Sequence, residues 1–278
     1  MADAQDLLAG MAPAGGLRKL FSANLRRLLE HPLTVGLNLD DPKTTQLRKQ
    51  IIASKPFLRA IYDEWYSKLK SEIPGIPGAV LELGSGAGHC ETFIPGLITS
   101  EIIECQGVQI VADAQRLPFA DGVLRAIVFV NVLHHLPDVR RFFFEASRCV
   151  TTGGKIAMIE PWVTPWSTRV YTRLHHEPFV ASAKGWSFAS GGPLSGANGA
   201  LPWIVFERDR SIFENEFPEF EIERVDPFLP LRYLLSGGVG MRSLMPGFTH
   251  SFWAKVERLL SPFKSQLGMF ALVVLRRK

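Results

Sequence analysis

The sequence is short of the features that would set it apart from ordinary globular proteins. It has three cysteines in 278 residues, Cys90, Cys105 and Cys149, with no CxxC spacing. So few, odd in number and scattered, they argue against a disulfide scaffold or a thiolate zinc site and for a reducing compartment. No run approaches the roughly 18 consecutive apolar residues of a membrane span. The opening MADAQDLLAGMAPAGG has no basic segment followed by a long apolar one, so no secretory leader is expected and cytoplasmic residence is the default. Neither sign of charge dominates, since 31 Lys and Arg against 27 Asp and Glu leave +4. No basic run alternates with aromatics, and no nucleic-acid partner is expected. What is present, 46% hydrophobic and 21% charged residues, is enough to bury a core without cross-links.

The chain divides by pattern. Residues 1–78 read as an N-terminal helical extension. Within it, 17–30 (LRKLFSANLRRLLE) sets leucines and Phe21 at helical spacing with basic residues mostly off that stripe. It is read as a helix packed on the domain, with a peripheral membrane contact as the sharper alternative. A second helical pattern runs from about 44 to 73 and is expected to bend or divide at Pro56. From Ala79 short apolar runs alternate with turns and helices. Strands are expected at 79–83, 97–103, 108–112, 124–131 and 155–160, with a helix starting in 89–95 and another over 138–150. That alternation implies a mainly parallel sheet covered on both faces. Two long insertions, about 161–217 and 226–268, interrupt the remainder, and late strands are expected at 220–225 and 269–276. The first insertion reads as a lid, with Trp162, Trp166, Trp186 and Trp203 as lid packing or as a substrate wall.

The chemistry concentrates at strand ends. The segment 80–88, VLELGSGAG, ends a strand in a glycine-rich turn where backbone can approach a ligand and a following helix N-terminus can offer free N–H groups. Its spacing is G-x-G-x-G, with His89 where a dinucleotide fingerprint needs its third glycine. Three acids then stand at the ends of three successive strands. Glu82 can meet an ammonium, Glu101 can accept two ribose hydroxyls, and Asp113 can accept from an adenine amino group. An amine, a ribose and an adenine together describe S-adenosylmethionine.

At these residues the chain resembles the class I S-adenosylmethionine-dependent methyltransferases, in particular the type 11-like, small-molecule branch. The matching pieces are LELGSGAG (81–88), VADAQRLPFADG (111–122), IVFVNVLHHLPD (127–138) and FFFEASRCVTTGGKIAMIEPW (142–162), in the family's order. The resemblance implies an α/β fold. Its doubly wound, Rossmann-like sheet fills 79–278, with the helical extension before it and the long insertion after the fifth strand. It also implies a cofactor site of Glu82, Gly84, Ser85, Gly86, Gly88, Glu101, Asp113, Ala114, Gln115 and Asn131. The short link from Gly84 to Asp113 leaves little room for the family's helix between the second and third strands.

His134 and His135 follow the fourth strand, where the methyl group is expected, and are the candidate general bases. His175, His176 and Glu177 are adjacent in sequence and lack a more distant third ligand, so no metal site is expected. The reading is methyl transfer from S-adenosylmethionine to a small apolar or amphipathic acceptor, lipid-linked acceptors included, with O-methylation favoured. A non-catalytic adenosyl-ligand-binding partner subunit and an NAD-dependent enzyme are the alternatives.

Overall fold

The computed structural model describes residues 31–32, 38, 40–175, 177–189, 192–229 and 231–278. The amphipathic segment 17–30, His176 and Gly191 lie outside the described residues. Among the described residues no helix is long and apolar enough to cross a membrane.

Seven strands form one sheet. β1 (Ala79–Leu83), β2 (Leu97–Glu101), β3 (Ile110–Val111), β4 (Leu124–Val130), β5 (Val150–Pro161), β6 (Phe220–Phe228) and β7 (Phe270–Arg277) lie in the order β3-β2-β1-β4-β5-β7-β6. The first five pair in parallel, while β7 is antiparallel to both β5 and β6. The order reverses beside β1, so a crevice opens at the C-terminal ends of β1 and β4, the switch point where open α/β sheets bind ligands.

Side-chain alternation with a period of two splits the core between the two faces. Leu81, Leu83, Ile127, Phe129, Ile156 and Met158 point to one face, where Phe142 and Phe143 of α3 (Val139–Cys149) cover them. Val80, Ala126, Val128, Ala157 and Ile159 point to the other. That face is covered by α2 (Pro56–Glu72), which follows α1 (Pro42–Ser54); the two are divided at Lys55, as Pro56 predicts. Phe57, Leu58, Ile61, Trp65 and Leu69 recur at helical spacing on α2 and are all but inaccessible. Each such burial contributes roughly 1.5–3 kcal/mol. The N-terminal helices therefore form part of the main core.

This explains a difference from the sequence expectation. No α-helix follows the glycine turn. Residues 85–92 make two short 3-10 turns, Ser85–Ala87 and Cys90–Thr92, and the chain passes through Pro95 and Gly96 (φ 73°) straight into β2. The turn packs against α1 and α2, with Thr45 behind Gly86 and Tyr66 behind Gly88. The link between β2 and β3 likewise has no helix. β5 begins earlier than expected, at Val150, and its register with β4 shifts around Gly153 (φ 79°).

The insertion after β5 has two parts. α4 (Pro165–Leu174) starts in a Thr164–Ser167 capping box. Residues 201–217 fold into helical turns, including α5 (Arg210–Glu216), that pack Phe206, Phe213 and Phe217 onto Phe143. Trp186 is wedged into the same core, its Nε1 donating to Asp209 at 2.9 Å and Arg140 lying over its ring.

Candidate functional site

β1 ends at Leu83, and Gly84 turns the chain in the left-handed region (φ 69°). Only glycine fits there, because an added Cβ would meet the Val132 side chain at 2.6 Å. The turn, the ends of β2 and β4, and the loops after them line a cavity of about 800 Å³. That is the upper part of the range for small-molecule sites.

Glu82, Gly84, Gly88, Glu101, Asp113, Ala114, Gln115 and Asn131 all line this cavity. Glu82 is 4% exposed, and its Oε2 has no hydrogen-bond partner. Burial pushes its carboxyl up to about 8, with nearby Glu91 and Glu101 adding to the effect and a hydrogen bond from Ser85 opposing it. Glu101 accepts from the Gly86 N–H at 3.1 Å through Oε2 and from the Ile102 N–H at 3.0 Å through Oε1; burial raises its carboxyl too. Asp113 turns one oxygen back to its own loop, accepting from Gln115 N at 2.8 Å. Asn131 holds a left-handed backbone (φ 58°), uncommon outside glycine, and its Oδ1 is buried without a partner. Two orphaned buried polar atoms on one cavity wall mark missing ligand contacts. The residues present thus fit a polar, amine-bearing nucleoside.

Ser85 and Gly86, also read from the sequence as cofactor-binding, stand behind the turn. Neither lines the cavity. The Ser85 hydroxyl bonds Glu82 O and accepts from Ser100 N at 3.1 Å, stitching β1 to β2. Gly86 backs onto Thr45 and Glu101, whose Oε2 an added Cβ would meet at 2.9 Å. Their contribution is to hold Glu101 and the turn in place.

The far end of the cavity carries the histidines. After Asn131 a 3-10 turn, Leu133–His135, brings both adjacent rings to the cavity, centroids 4.2 Å apart. Glu160, fully buried near the end of β5, organises this turn. Its Oε1 accepts from the Val132 and Leu133 N–H groups at 2.7 and 2.8 Å, and its Oε2 lies 2.6 Å from His134 Nδ1. His135 Nδ1 lies 2.9 Å from Gly196 O. Glu177, on the loop after α4, stands 3.6 Å from His134 Nε2 and 3.8 Å from His135 Nε2. Burial opposes charge on His134, but Glu160 and Glu177 outweigh it and raise the imidazole to about 9. Burial, then the charge of His134, lower His135 to about 4. Burial also opposes ionisation of Glu177, yet the three neighbouring histidines hold it well below the usual carboxylate range.

Sequence reasoning missed several wall residues. Thr44, Thr45 and Arg48 come from α1, and Tyr62 and Tyr66 from α2. The cavity is also walled by Tyr171 stacked on Phe179 and by Tyr233 against Phe270, both pairs 4.7 Å apart. None of the four tryptophans expected as lid or wall lines the cavity. Glu160 had a signal that went unused, a lone carboxylate closing the apolar strand IAMIE.

A family model described as a methyltransferase domain matches residues 97–158. A comparison with curated protein sequences finds no match. Among solved structures, geranyl diphosphate C-methyltransferase from Streptomyces coelicolor A3(2) is 13% identical, with 93% of this chain and 98% of that one covered and a TM-score of 0.47. A geranyl diphosphate methyltransferase solved with S-adenosylmethionine is 14% identical, with 83% and 90% covered and a TM-score of 0.48. The [4+2]-cyclase SpnF is 15% identical, with 77% and 81% covered and a TM-score of 0.46. A methyltransferase-domain model thus matches the segment that runs from β2 into β5, within a sheet whose seventh strand is antiparallel and whose first strand closes in a glycine turn.

Proposed function

We propose that the protein methylates an oxygen atom of a small acceptor whose body is apolar or amphipathic. When bound, S-adenosylmethionine supplies an electrophilic methyl group whose bond pair returns to sulfur. Glu82 receives the ammonium, Glu101 the ribose hydroxyls and Asp113 the adenine amino group, with Asn131 Oδ1 facing the same ligand. The orphaned oxygens of Glu82 and Asn131 support this arrangement. The aromatic wall of Tyr171, Phe179, Tyr233 and Phe270 suits an apolar acceptor body. We read the described parts of the insertions 161–217 and 226–268 as the parts that shape this end and exclude water from it.

The single observation that carries oxygen as the accepting atom is the buried His134–Glu160 pair with His135 beside it. A hydroxyl acceptor loses a proton as it is methylated; His135, which stays neutral, is the imidazole placed to take that proton, and His134, held charged by Glu160 and Glu177, orients the hydroxyl beside it. The test is label transfer from methyl-labelled S-adenosylmethionine to fractionated cell extract. Label is expected on oxygen in an apolar fraction. In the double variant His134→Gln, His135→Gln turnover should fall about 100-fold or more with S-adenosylhomocysteine affinity kept. Label on carbon, or intact turnover in the double variant, rejects the proposal.

A further inference from the structure

His134, His135 and Glu177 come from two loops, one after β4 and one after α4, and meet at the acceptor end of the cavity. Each histidine is anchored through Nδ1, to the Glu160 carboxylate in one case and to the Gly196 carbonyl in the other. Both Nε2 atoms face the Glu177 carboxylate, and in the neutral rings that this anchoring sets, the form a cation would select, both carry the lone pair. The three ligand atoms lie within 4.8 Å of one another. Ligands about 2.1 Å from a tetrahedral ion sit about 3.4 Å apart, and the two nitrogen–oxygen separations are 3.6 and 3.8 Å. Such anchoring, one imidazole N–H to a carboxylate and the other to a backbone carbonyl, is what orients histidine ligands around metals.

We propose that His134 Nε2, His135 Nε2 and the Glu177 carboxylate form a two-histidine, one-carboxylate site for a divalent transition cation such as Zn2+, Mn2+ or Fe2+.

Charge supports this occupant. Glu160 and Glu177 bring two negative charges into a site where their side chains are 0% and 15% exposed. A divalent cation between neutral imidazoles balances both, whereas one proton on His134 balances one. His175 Nδ1 stands 3.7 Å from the Glu177 carboxylate, and among the described residues Tyr171 and Tyr233 are titratable groups on the adjoining wall. Three protein ligands leave coordination positions for an oxygen-bearing group of the acceptor, so with the ion bound the cation would acidify an acceptor hydroxyl in place of an imidazole base. That last role rests on the methyl-transfer reading above, while the binding of the ion does not.

The sequence expectation of no metal site rested on the lack of a distant ligand for His175, His176 and Glu177. The fold brings Glu177 to His134 and His135 instead.

The test uses the full chain stripped with a chelator and titrated with Co2+ by visible absorption and with Zn2+ by calorimetry. One ion per chain is expected, with Co2+ absorption typical of low coordination number. Glu177→Gln and His135→Gln should each weaken binding by about 100-fold or more. Nitrogen-15 NMR of the histidine rings in unmutated protein covers the case in which the variants do not fold. Zn2+ should shift two Nε2 resonances and leave both Nδ1 protonated. No Co2+ binding, affinity unchanged in Glu177→Gln, or no Nε2 shift overturns the proposal and leaves a hydrogen-bonded cluster holding a proton. S-adenosylhomocysteine titrated into the same stripped protein reports separately on the methyl-transfer reading.

Discussion

Replacing Glu82 with Gln should make the ligand-free protein more stable at high pH and a weaker binder of S-adenosylhomocysteine. Glu82 is buried, one oxygen is orphaned, and its carboxyl is raised from the usual 4.5 to about 8. Tyr66 of α2, Cys90 and Glu91 of the turn and Glu101 of β2 face it, and none of them is cationic. A raised folded-state value means the native protein holds this proton more tightly than the unfolded chain. Stability from Glu82 is therefore complete below pH 4.5 and is lost as pH rises toward 8. At 1.36 kcal/mol per unit the loss is roughly 4–5 kcal/mol above the folded value. Glu82→Gln has no such loss, so its stability relative to wild type should climb by about that amount and level off above pH 8. The ligand draws on the same proton. Near pH 7 pairing with an ammonium first costs about 1.4 kcal/mol to ionise Glu82, against roughly 1.5–3 kcal/mol from the charge-assisted bond. Binding should release nearly one proton per ligand in wild type and none from this site in the variant. Denaturant titrations across pH and calorimetry in buffers of different ionisation heat measure both effects. A stability difference that stays flat with pH, or binding heats independent of buffer in wild type, would refute the reasoning.

Other expectations follow from the same geometry. Glu101→Ala removes the acceptor of the Gly86 and Ile102 N–H groups as well as the proposed ribose contact, so S-adenosylhomocysteine affinity should fall by roughly ten- to a hundredfold. Unchanged affinity by calorimetry would move the ribose to another residue. Gly86→Val should act through Glu101 and Thr45 rather than by filling the cavity, lowering both stability and affinity; a melting temperature equal to wild type counts against this packing. Glu160→Ala strands the Val132 and Leu133 N–H groups and His134 Nδ1, a loss of about 3–5 kcal/mol in denaturant unfolding. A loss below about 1 kcal/mol would mean that water or another acceptor replaces the carboxylate.

The sheet was legible because each strand is a short apolar run closed by a turn signal. LRAIVFVN and KIAMIE are read as strands by composition alone, and the acids at strand ends follow from them. The helix expected after Gly88 failed because local pattern does not reveal that α2, from far upstream, already occupies that side of β1. The packing of Ser85 and Gly86 against Ser100, Thr45 and Glu101 was not legible, because a glycine-rich turn looks the same whether its backbone faces a ligand or a neighbouring helix. Trp186 looked like a cover residue for its size and nearby glycines, but its indole is held by Asp209, Arg140 and Phe213 in the core. Glu177 was noticed beside His175 and His176 alone, since its meeting with His134 and His135 depends on how the loop after α4 returns to the end of β4. Tyr171, Phe179, Tyr233 and Phe270 of the aromatic wall sit on four separate segments and share no sequence signature.

A crystal structure of the full chain with S-adenosylhomocysteine tests the central claim most directly. The ligand should lie in the cavity at the ends of β1 and β4, its ammonium within hydrogen-bond reach of Glu82, its ribose on Glu101 and its adenine amino group on Asp113. Density elsewhere on the chain, or in this cavity with Glu82 Oε2 and Asn131 Oδ1 still unpartnered, would contradict it.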